Sequence, residues 1–318
     1  MITLPKTDLR VHPLCLGTNV FGWSATESES FAVLDAYVSH GGNFIDTADV
    51  YSEWKPGNHG GESETIIGNW MKARGNRSSM VIATKVAKLS TRPGLSPANI
   101  KDALDDSLRR LQIDCIDIYY SHEDDINVPT EETLATYTEL ISEGKIRYIA
   151  ASQHSGARLQ HALDVSAENN FASYIALQDH YNLMNRNPFE ESQSEVVLKN
   201  SISALPFFGL AQGFLTGKYR PGVTVDSIRA EGVKEYMTPV GWATLDALDL
   251  ISKNYSSSIA AIALGWLRAN PAVSTPIASA RTVVQLNEII QVIELGESEI
   301  DMLNKASDDS GQKEQGKP

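Results

Sequence analysis

Short apolar runs that alternate with segments of helical period predict an α/β fold, a (β/α)8 TIM barrel, for this chain of 318 residues. Most of the runs are near-continuous in Val, Ile, Ala and Tyr, as expected for parallel strands that are covered on both faces. No Pro/Gly/Ser linker, change of composition or internal repeat divides the chain. We therefore expect one domain over residues 1–309, a flexible polar tail at 310–318, and strands at 14–17, 43–46, 80–85, 115–122, 147–152, 173–178, 203–208 and 273–277.

The first four predicted helices carry explicit start and stop signals. Thr26 followed by Glu29 forms a capping box, and Gly75 ends the second helix. Ser96 before Pro97 predicts the N-cap and the first residue of the third helix. The apolar stripes of these helices are Phe31, Leu34 and Val38; Ile66, Ile67, Trp70 and Met71; Ile100, Leu104, Leu108 and Leu111; and Leu134, Tyr137 and Ile141.

Composition and charge exclude several classes of protein. The chain is 42% hydrophobic and 21% charged, as globular proteins are, and its net charge of −13 argues against binding of nucleic acid or anionic lipid. No apolar stretch approaches 18 residues, and the N-terminal sequence lacks the apolar core of a signal peptide. Cys15 and Cys115 match neither a disulfide framework nor a metal site. We expect a cytoplasmic protein with two buried, inert thiols, no bound metal and no membrane segment.

Four reactive side chains are predicted to meet at one rim of the barrel. Asp46, Lys85 and His122 end the second, third and fourth strands, and Tyr51 follows Asp46 by five residues. The carboxyl ends of all strands open on the same rim, where barrel enzymes build their active sites. Each residue alone has a plainer interpretation, such as a turn cap, a solvated lysine or a structural histidine. Four ionisable groups on adjacent strands are poor for packing, and together they predict an active site.

These four groups suit the protonation of a carbonyl oxygen. A free tyrosine, with a pKa of about 10, is a weak acid at neutral pH, and we expect Lys85 to lower the pKa of Tyr51. Asp46 would hold Lys85 in place, and His122 would donate a hydrogen bond to the carbonyl oxygen. The set supplies no reductant, so a hydride carrier is required.

Eight motifs span nearly the whole chain: LCLGTNVFG, NFIDTADVYS, ATK, SLRRLQIDCIDIYYSH, GKIRYIAAS, LQDHYNLMNR, GFLTGKY and TPIASARTVVQLNE. Through these motifs the sequence resembles the aldo-keto reductase family. In that family an Asp, a Tyr, a Lys and a His form a catalytic tetrad with the tyrosine as general acid. The resemblance implies these roles for Asp46, Tyr51, Lys85 and His122.

The resemblance also implies an NAD(P)(H) cofactor that binds in extended form without a G-x-G-x-x-G fingerprint. Ser152 and Gln178 would hold the nicotinamide carboxamide, and Phe207 would stack on the ring where a tyrosine is more usual. Gln153 stands where the family commonly has Asn. The implied contacts are Thr18, Asn19, Asp46, Ser152, Gln153, Gln178, Phe207, Leu210, Gln212, Gly213, Leu215, Lys218, Ala278, Ser279, Ala280, Arg281, Gln285 and Glu288.

Two segments bear on the phosphates of this cofactor. The segment 213–218, in a long irregular stretch at 209–239, has three residues between its glycines, so it is not a P-loop. Its glycines and Lys218 nevertheless suit a backbone cradle for a pyrophosphate, the alternative being a solvated lysine. Arg281 suits a 2′-phosphate, although the basic residue common at Ser279 is absent. We therefore favour NADP(H), with NAD(H) as the alternative.

Aromatic and acidic residues near the tetrad bear on the substrate. Phe21, Trp23 and Trp54 are candidate walls of the substrate pocket, the alternative being packing beneath the loops. The carboxylates at 123–125 are expected in a solvated loop; facing the pocket, they would disfavour anionic substrates.

The sequence predicts an NADP(H)-dependent oxidoreductase that interconverts an aldehyde or ketone and its alcohol. The alternative is a cofactor-binding regulatory subunit with little turnover, since relatives in this family serve as auxiliary subunits of potassium channels. A metal-dependent barrel enzyme would need a carboxylate or histidine cluster that the strand ends do not offer. The small-molecule substrate, the preferred direction and the oligomeric state are left open.

Overall fold

A computed structural model, which describes residues 1–226 and 230–308, shows a (β/α)8 barrel and confirms the predicted fold class. Eight parallel strands form one sheet in which neighbours follow in chain order and the last strand lies beside the first. The predicted tail at 310–318 lies outside the described residues. The strands are β1 Cys15–Gly17, β2 Phe44–Asp46, β3 Val81–Val86, β4 Ile116–Ser121, β5 Ile146–Ser152, β6 Tyr174–Gln178, β7 Ser203–Ala204 and β8 Ile277–Ala278.

The barrel closes between β7 and β8 through a few hydrogen bonds rather than a long ladder. Ala204 forms a bridge with Val273, and the Ile277 N–H donates to the Pro206 carbonyl oxygen at 2.8 Å. Proline has no N–H to donate, so Pro206 and Pro276 interrupt the pairing. The predicted bounds 203–208 and 273–277 are therefore wrong, because β7 is only two residues long and β8 begins at Ile277.

Helices cover the outside of the sheet, and the predicted caps are confirmed. Both bonds of the capping box between Thr26 and Glu29 are present, and the Ser96 hydroxyl accepts from the Asn99 N–H. Gly75 ends the second helix with a left-handed φ of 62°. The helices are α1 Glu27–Ser39, α2 Glu62–Arg74, α3 Pro97–Leu111, α4 Thr130–Ser142, α5 Gly156–Asn169, α6 Ser194–Lys199, α7 Ala230–Val233, α8 Pro239–Tyr255, α9 Ile259–Ala269, α10 Val283–Ile289 and α11 Glu297–Ala306, with 3₁₀ turns at Arg77–Ser79, Ala211–Thr216 and Lys234–Tyr236 and a π turn at Phe189–Gln193.

The amino end of the barrel is plugged by a short antiparallel hairpin of Ile2–Thr3 and Arg10–Val11. Leu4 and Leu9 beside it belong to the same apolar cluster as the inward-facing residue Phe44 of β2. Burial of these side chains removes apolar surface from water and closes this end. The carboxyl rim is the end that remains open for a site.

The two cysteines differ in burial. Cys15 is fully buried inside the barrel, whereas Cys115 is half-buried, so the prediction that both are buried is wrong for Cys115. Burial raises the pKa of both thiols, and for Cys115 the neighbouring Asp117 carboxylate adds to this effect. Both therefore favour the protonated, unreactive form.

None of the helices within residues 1–226 and 230–308 combines the length and the hydropathy that a membrane span requires.

A buried carboxyl group lies beneath the loop that leaves β2. Asp49 is 1% exposed, and its backbone N–H donates to the Lys85 carbonyl oxygen at 3.2 Å. The neighbouring Glu64 already accepts from the Thr84 hydroxyl and forms an ion pair with Arg110 at 2.6 Å. Burial, followed by repulsion from Glu64, raises the pKa of Asp49 to about 7. The folded protein therefore holds a proton here that the unfolded chain releases near pH 4.

We predict that Asp49 makes stability decrease as the pH rises towards neutrality. Between about pH 4 and 7 the folded state binds one more proton than the unfolded state, so the free energy of unfolding decreases with pH. Asp49→Asn has no charge at this position. The free energy of unfolding of this variant, relative to that of the native protein, should therefore increase by about 2–3 kcal/mol from pH 5 to pH 8. Urea denaturation of both proteins at pH 5 and at pH 8 measures this change. Asp102→Asn, at an exposed position on α3, is the control; a pH-independent gap between native protein and Asp49→Asn would contradict the prediction.

Candidate active site

The carboxyl rim of the barrel brings together the side chains that the sequence singles out. Asp46 is the last residue of β2, and Lys85 lies one residue before the end of β3. In the sheet Asp46 is opposite Ala83, so Lys85, two residues further on, projects from the same face one layer higher. His122 directly follows β4, and its backbone N–H donates to the Val86 carbonyl oxygen at 2.9 Å.

Lys85 is the centre of a hydrogen-bond network. Its ammonium group donates to Asp46 Oδ2 at 2.7 Å, to the Thr47 carbonyl oxygen at 2.7 Å and to the Tyr51 hydroxyl at 2.9 Å. The Tyr51 hydroxyl in turn donates to Asp46 Oδ2 at 3.2 Å. The side chains of Lys85 and Asp46 are 0% and 2% exposed. All three ammonium protons therefore have partners, as a buried charge requires.

Tyr51 has a pKa well above its ordinary value, contrary to the expectation that Lys85 would lower it. Burial is the largest cause, and the Asp46 carboxylate follows because the hydroxyl donates to it and a second negative charge beside it is unfavourable. Burial lowers the pKa of Lys85, while Asp46 opposes this change. Tyr51 therefore keeps its proton at neutral pH and is available as an acid.

His122 stands beside Tyr51, with ring centroids 6.0 Å apart. Its pKa lies well below the ordinary value because the ring is buried and the charges of Lys85 and Lys88 repel a second proton. The ring is therefore neutral at physiological pH and carries a single N–H. Its Nδ1 is buried without a hydrogen-bond partner among the described residues. A neutral imidazole in this position can donate one hydrogen bond to a bound oxygen atom.

A cavity of about 520 Å³ opens above these residues. Four of the predicted cofactor residues lie outside its lining: Thr18, Leu215 and Ala280 are buried beneath the wall, and Glu288 is exposed on α10. The predicted cofactor residues that line the cavity are Asn19, Asp46, Ser152, Gln153, Gln178, Phe207, Leu210, Gln212, Gly213, Lys218, Ala278, Ser279, Arg281 and Gln285.

One end of the cavity offers polar atoms above β5 and β6. Ser152 is 1% exposed, and its hydroxyl has no hydrogen-bond partner within the described residues. Gln178 donates to Asp46 Oδ1 at 2.9 Å, and Gln153 donates to the His122 carbonyl oxygen at 3.2 Å. The unpaired Ser152 hydroxyl is the polar group here that a ligand amide would satisfy.

The loop after β7 has an unusual backbone. Phe208, Ala211 and Gln212 adopt left-handed φ values of 52°, 45° and 56°, and Gly213 follows at 102°. A Cβ on Gly213 would lie 3.9 Å from the Lys218 ammonium. Lys218 is exposed and forms no ion pair with the residues described here. Strained backbone of this kind concentrates at ligand sites, and an approachable glycine beside a free ammonium suits an anion.

The far end of the cavity lies after β8. Arg281 lines it and is half-buried, and its guanidinium makes no ion pair within residues 1–226 and 230–308. The Arg281 backbone N–H donates to Gln285 Oε1 at 2.9 Å, and the Ser279 hydroxyl donates to Asn19 Oδ1 at 2.7 Å. The guanidinium is therefore available to an anionic ligand.

The three aromatic residues proposed as pocket walls occupy different layers. Trp54 lines the cavity and is 46% exposed. Trp23 does not line the cavity, contrary to the prediction, but contacts Trp54 edge-on, with ring centroids 5.7 Å apart. Phe21 is fully buried in the core, where its carbonyl oxygen accepts from the Ser52 hydroxyl at 2.6 Å. Phe21 therefore supports the loop from beneath instead of facing the cavity.

Seven residues that the sequence reasoning missed also line the cavity: Gly17, Val20, Val50, Lys88, Phe208, Gly209 and Ile277. Two of them could have been suspected from the sequence, because Lys88 lies three residues after Lys85 and Phe208 directly follows Phe207. Hydrophobic periodicity, however, does not distinguish a loop side chain that lines a cavity from one that is solvated.

The acidic stretch after His122 does not line the cavity. Glu123 pairs with Lys88 at 3.3 Å, and Asp124 pairs with Arg158 at 2.7 Å. Asp125 accepts from the Leu95 N–H at 2.9 Å. Nor do three His, Cys, Asp or Glu side chains come together as a candidate metal site anywhere in the described ranges.

Comparison with known proteins places this geometry in a family. The aldo/keto reductase family matches residues 13–308. The chain is 32% identical over 303 residues to "Uncharacterized oxidoreductase YrpG" of Bacillus subtilis, covering 92% of this chain and 90% of that protein. It is 32% identical over 310 residues to "Putative voltage-gated potassium channel subunit beta" of Schizosaccharomyces pombe, with coverages of 92% and 87%. It is 31% identical over 324 residues to "Protein tas" of Escherichia coli, with coverages of 93% and 93%.

The chain belongs to the aldo/keto reductase family, and this membership implies NAD(P)H-dependent oxidoreduction.

Proposed function

We propose that the protein is an NADP(H)-dependent oxidoreductase that interconverts an aldehyde or ketone and the corresponding alcohol, with Tyr51 as general acid and base. The observation that carries this proposal is the Tyr51 hydroxyl, held by Lys85 and Asp46 beside a neutral His122 under an open cavity. A proton donor, a hydrogen-bond donor and a buried cation at one point are what a carbonyl oxygen needs as it gains negative charge.

The residues around the cavity fit a nicotinamide dinucleotide. The unpaired Ser152 hydroxyl suits a carboxamide, and the Phe207 ring on the cavity wall offers a stacking face. Gly213 and Lys218 suit a pyrophosphate, and Arg281 suits a 2′-phosphate. When bound, the dinucleotide supplies or accepts the hydride.

The chain itself handles the proton. His122 donates a hydrogen bond to the carbonyl oxygen and thereby orients and polarises it. Tyr51 turns its hydroxyl proton from Asp46 to that oxygen as negative charge develops there. Lys85, 2.9 Å from the hydroxyl, stabilises the phenolate that remains. In the direction of alcohol oxidation, the Tyr51 phenolate takes the proton back.

We predict that Tyr51→Phe lowers kcat by roughly 10²-fold or more, the usual scale for loss of a general acid. The ring and its packing remain, so the Kd for NADPH should stay the same. Steady-state reduction of an aldehyde panel and fluorescence titration with NADPH measure the two quantities.

Tyr119→Phe is the control, because the Tyr119 hydroxyl is buried without a hydrogen-bond partner among described residues and lies on the outer layer against Tyr137. It should keep kcat near the native value. A Tyr51→Phe protein that also turns over at the native rate would remove Tyr51 from its proposed role.

The preference for NADP(H) rests on Arg281. A guanidinium forks onto phosphate oxygens, and that of Arg281 makes no competing ion pair with the described residues. We predict that NADPH binds at least several-fold more tightly than NADH and that Arg281→Ala abolishes most of this difference. Lys218→Ala is the matched comparison and should weaken both cofactors alike, because the pyrophosphate is common to them. Equal Kd values for the two cofactors in the native protein would refute the prediction.

One relative supports a second candidate function. The name of the Schizosaccharomyces pombe protein describes a potassium channel subunit, so a cofactor-binding regulatory subunit is the rival proposal. The intact network of Asp46, Lys85 and Tyr51 favours turnover instead. NADPH oxidation with a panel of aldehydes, ketones and quinones separates the two. Tight binding of NADPH without turnover on any of them would favour the regulatory subunit.

A further inference from the structure

We propose that the carbonyl substrate carries an anionic group, a carboxylate or a phosphate, and that Lys88 binds this group. The inference rests on the proposed carbonyl reduction and names the class of substrate. Lys88 lines the cavity beyond the end of β3. The other two cationic side chains in the described lining, Lys218 and Arg281, follow β7 and β8, four and three strands away around the sheet. Lys88 is thus a separate positive charge on the side of the cavity opposite the phosphate-binding residues.

The backbone around Lys88 is held at this position. Ala87 has a φ of 121°, which residues other than glycine rarely adopt, and its carbonyl oxygen accepts from the Gly94 N–H at 2.8 Å. The Ser90 N–H donates to the Glu53 carboxylate at 3.2 Å. This bond ties the Lys88 segment to the loop that carries Tyr51 and Trp54. A site on a strained and anchored turn keeps its geometry better than one on a free loop.

Lys88 lines the same cavity as the reacting residues. It is close enough to His122 to contribute to the low pKa of that ring. The carboxylate of Asp46 is neutralised by Lys85 at 2.7 Å. Glu123 pairs with Lys88 but does not line the cavity, so Lys88 is the charge that a ligand meets in the described lining on the substrate side, and it attracts an anion.

The ion pair of Lys88 with Glu123 is weak enough to be replaced. The two groups are 3.3 Å apart and their side chains are 29% and 45% exposed. Exposed pairs of this kind contribute about 0–1 kcal/mol, so exchange of Glu123 for a substrate anion costs little. Glu123 does not line the cavity, and Asp124 and Asp125 are engaged by Arg158 and the Leu95 N–H.

Apolar side chains also line the cavity. Val50 and Trp54 lie in the loop after β2, next to the strand that Lys88 follows, while Val20 follows β1 and Phe208 follows β7. Together they suit an aromatic or aliphatic body. The substrate that fits best is an aldehyde or ketone with an apolar middle and an anionic end that reaches Lys88.

The test compares pairs of aldehydes of which one member is anionic and the other neutral. We expect the holoenzyme with NADPH to reduce 4-carboxybenzaldehyde with a kcat/KM roughly tenfold above that of its neutral methyl ester, a difference of about 1.4 kcal/mol. A parallel pair, 4-formylphenyl phosphate and 4-methoxybenzaldehyde, distinguishes carboxylate from phosphate recognition. Lys88→Gln should abolish the preference for the anion, mainly through KM. The control is Lys101→Gln, since Lys101 lies on α3 in an exposed ion pair with Glu139 of α4; this variant should retain the preference for the anion.

Glu123→Gln removes the competing carboxylate and should increase the preference for the anionic aldehyde by about two- to threefold, the scale of a weak surface ion pair. A native enzyme that reduces acid and ester equally well would overturn the inference and leave the proposed function intact. A Lys88→Gln variant that prefers the anionic aldehyde as strongly as the native enzyme does would have the same consequence.

Calorimetry measures the affinity of the NADPH-bound protein for terephthalate and for its dimethyl ester, and so tests the anion site without turnover. If no aldehyde is reduced but terephthalate binds more tightly than the diester and loses this advantage in Lys88→Gln, the proposed function fails and the anion site stands. Equal binding of the two compounds, or equal binding of terephthalate to native protein and Lys88→Gln, overturns the site.

Discussion

The buried ion pair of Lys85 and Asp46 is the interaction on which both the rim of the barrel and its chemistry depend. Taking two charges out of water is costly, and removing one partner of such a pair typically costs about 3–5 kcal/mol. Each of the three ammonium protons of Lys85 has an acceptor: Asp46, the Thr47 carbonyl oxygen and the Tyr51 hydroxyl. The pairing of β2 with β3 sets this geometry, since it places Lys85 one layer above the residue opposite Asp46. The sheet register that forms the fold therefore also positions Lys85 against the hydroxyl of Tyr51, the proposed proton donor.

The same ion pair explains why the electrostatics of the site differ from those expected of a lysine beside a tyrosine. A cation alone would lower the pKa of Tyr51, but burial raises it, and the Asp46 carboxylate that accepts from the hydroxyl adds to this effect, so the proton is retained. Burial, together with the charges of Lys85 and Lys88, also lowers the pKa of His122 and keeps its ring neutral. In the proposed reaction, Tyr51 is thus the protonated acid, and the neutral ring of His122 is the hydrogen-bond donor beside it. A net charge of −13 says little about this environment, because the cations around the cavity act locally.

Local patterns in the sequence predict most of the barrel. Thr26 with Glu29 and Ser96 with Pro97 satisfy their own helix ends, and a strand such as β6 is a continuous apolar run, so neighbours along the chain suffice to identify them. Asp46, Lys85 and His122 could be grouped because barrel strands all end at one rim. The bounds of β7 and β8 could not be predicted, because they depend on how Pro206 meets Ile277 across the closure. The burial of Phe21, the placement of Lys88 on the cavity wall and the direction of the Tyr51 pKa shift all depend on contacts between distant segments.

The measurement that most directly tests the central claim, that Asp46, Lys85 and Tyr51 act as one proton-transferring unit, is a double-mutant cycle on kcat/KM for aldehyde reduction. It compares Asp46→Asn, Tyr51→Phe and the double variant, after circular dichroism and NADPH titration show that each is folded and binds cofactor. If Asp46 acts through Lys85 on the proton of Tyr51, the double variant will be about as slow as Tyr51→Phe alone. Once Tyr51→Phe has removed this proton, Asp46 has nothing left to act on, and Asp46→Asn causes no further loss. Losses that simply multiply would show two independent contributions and would contradict the account.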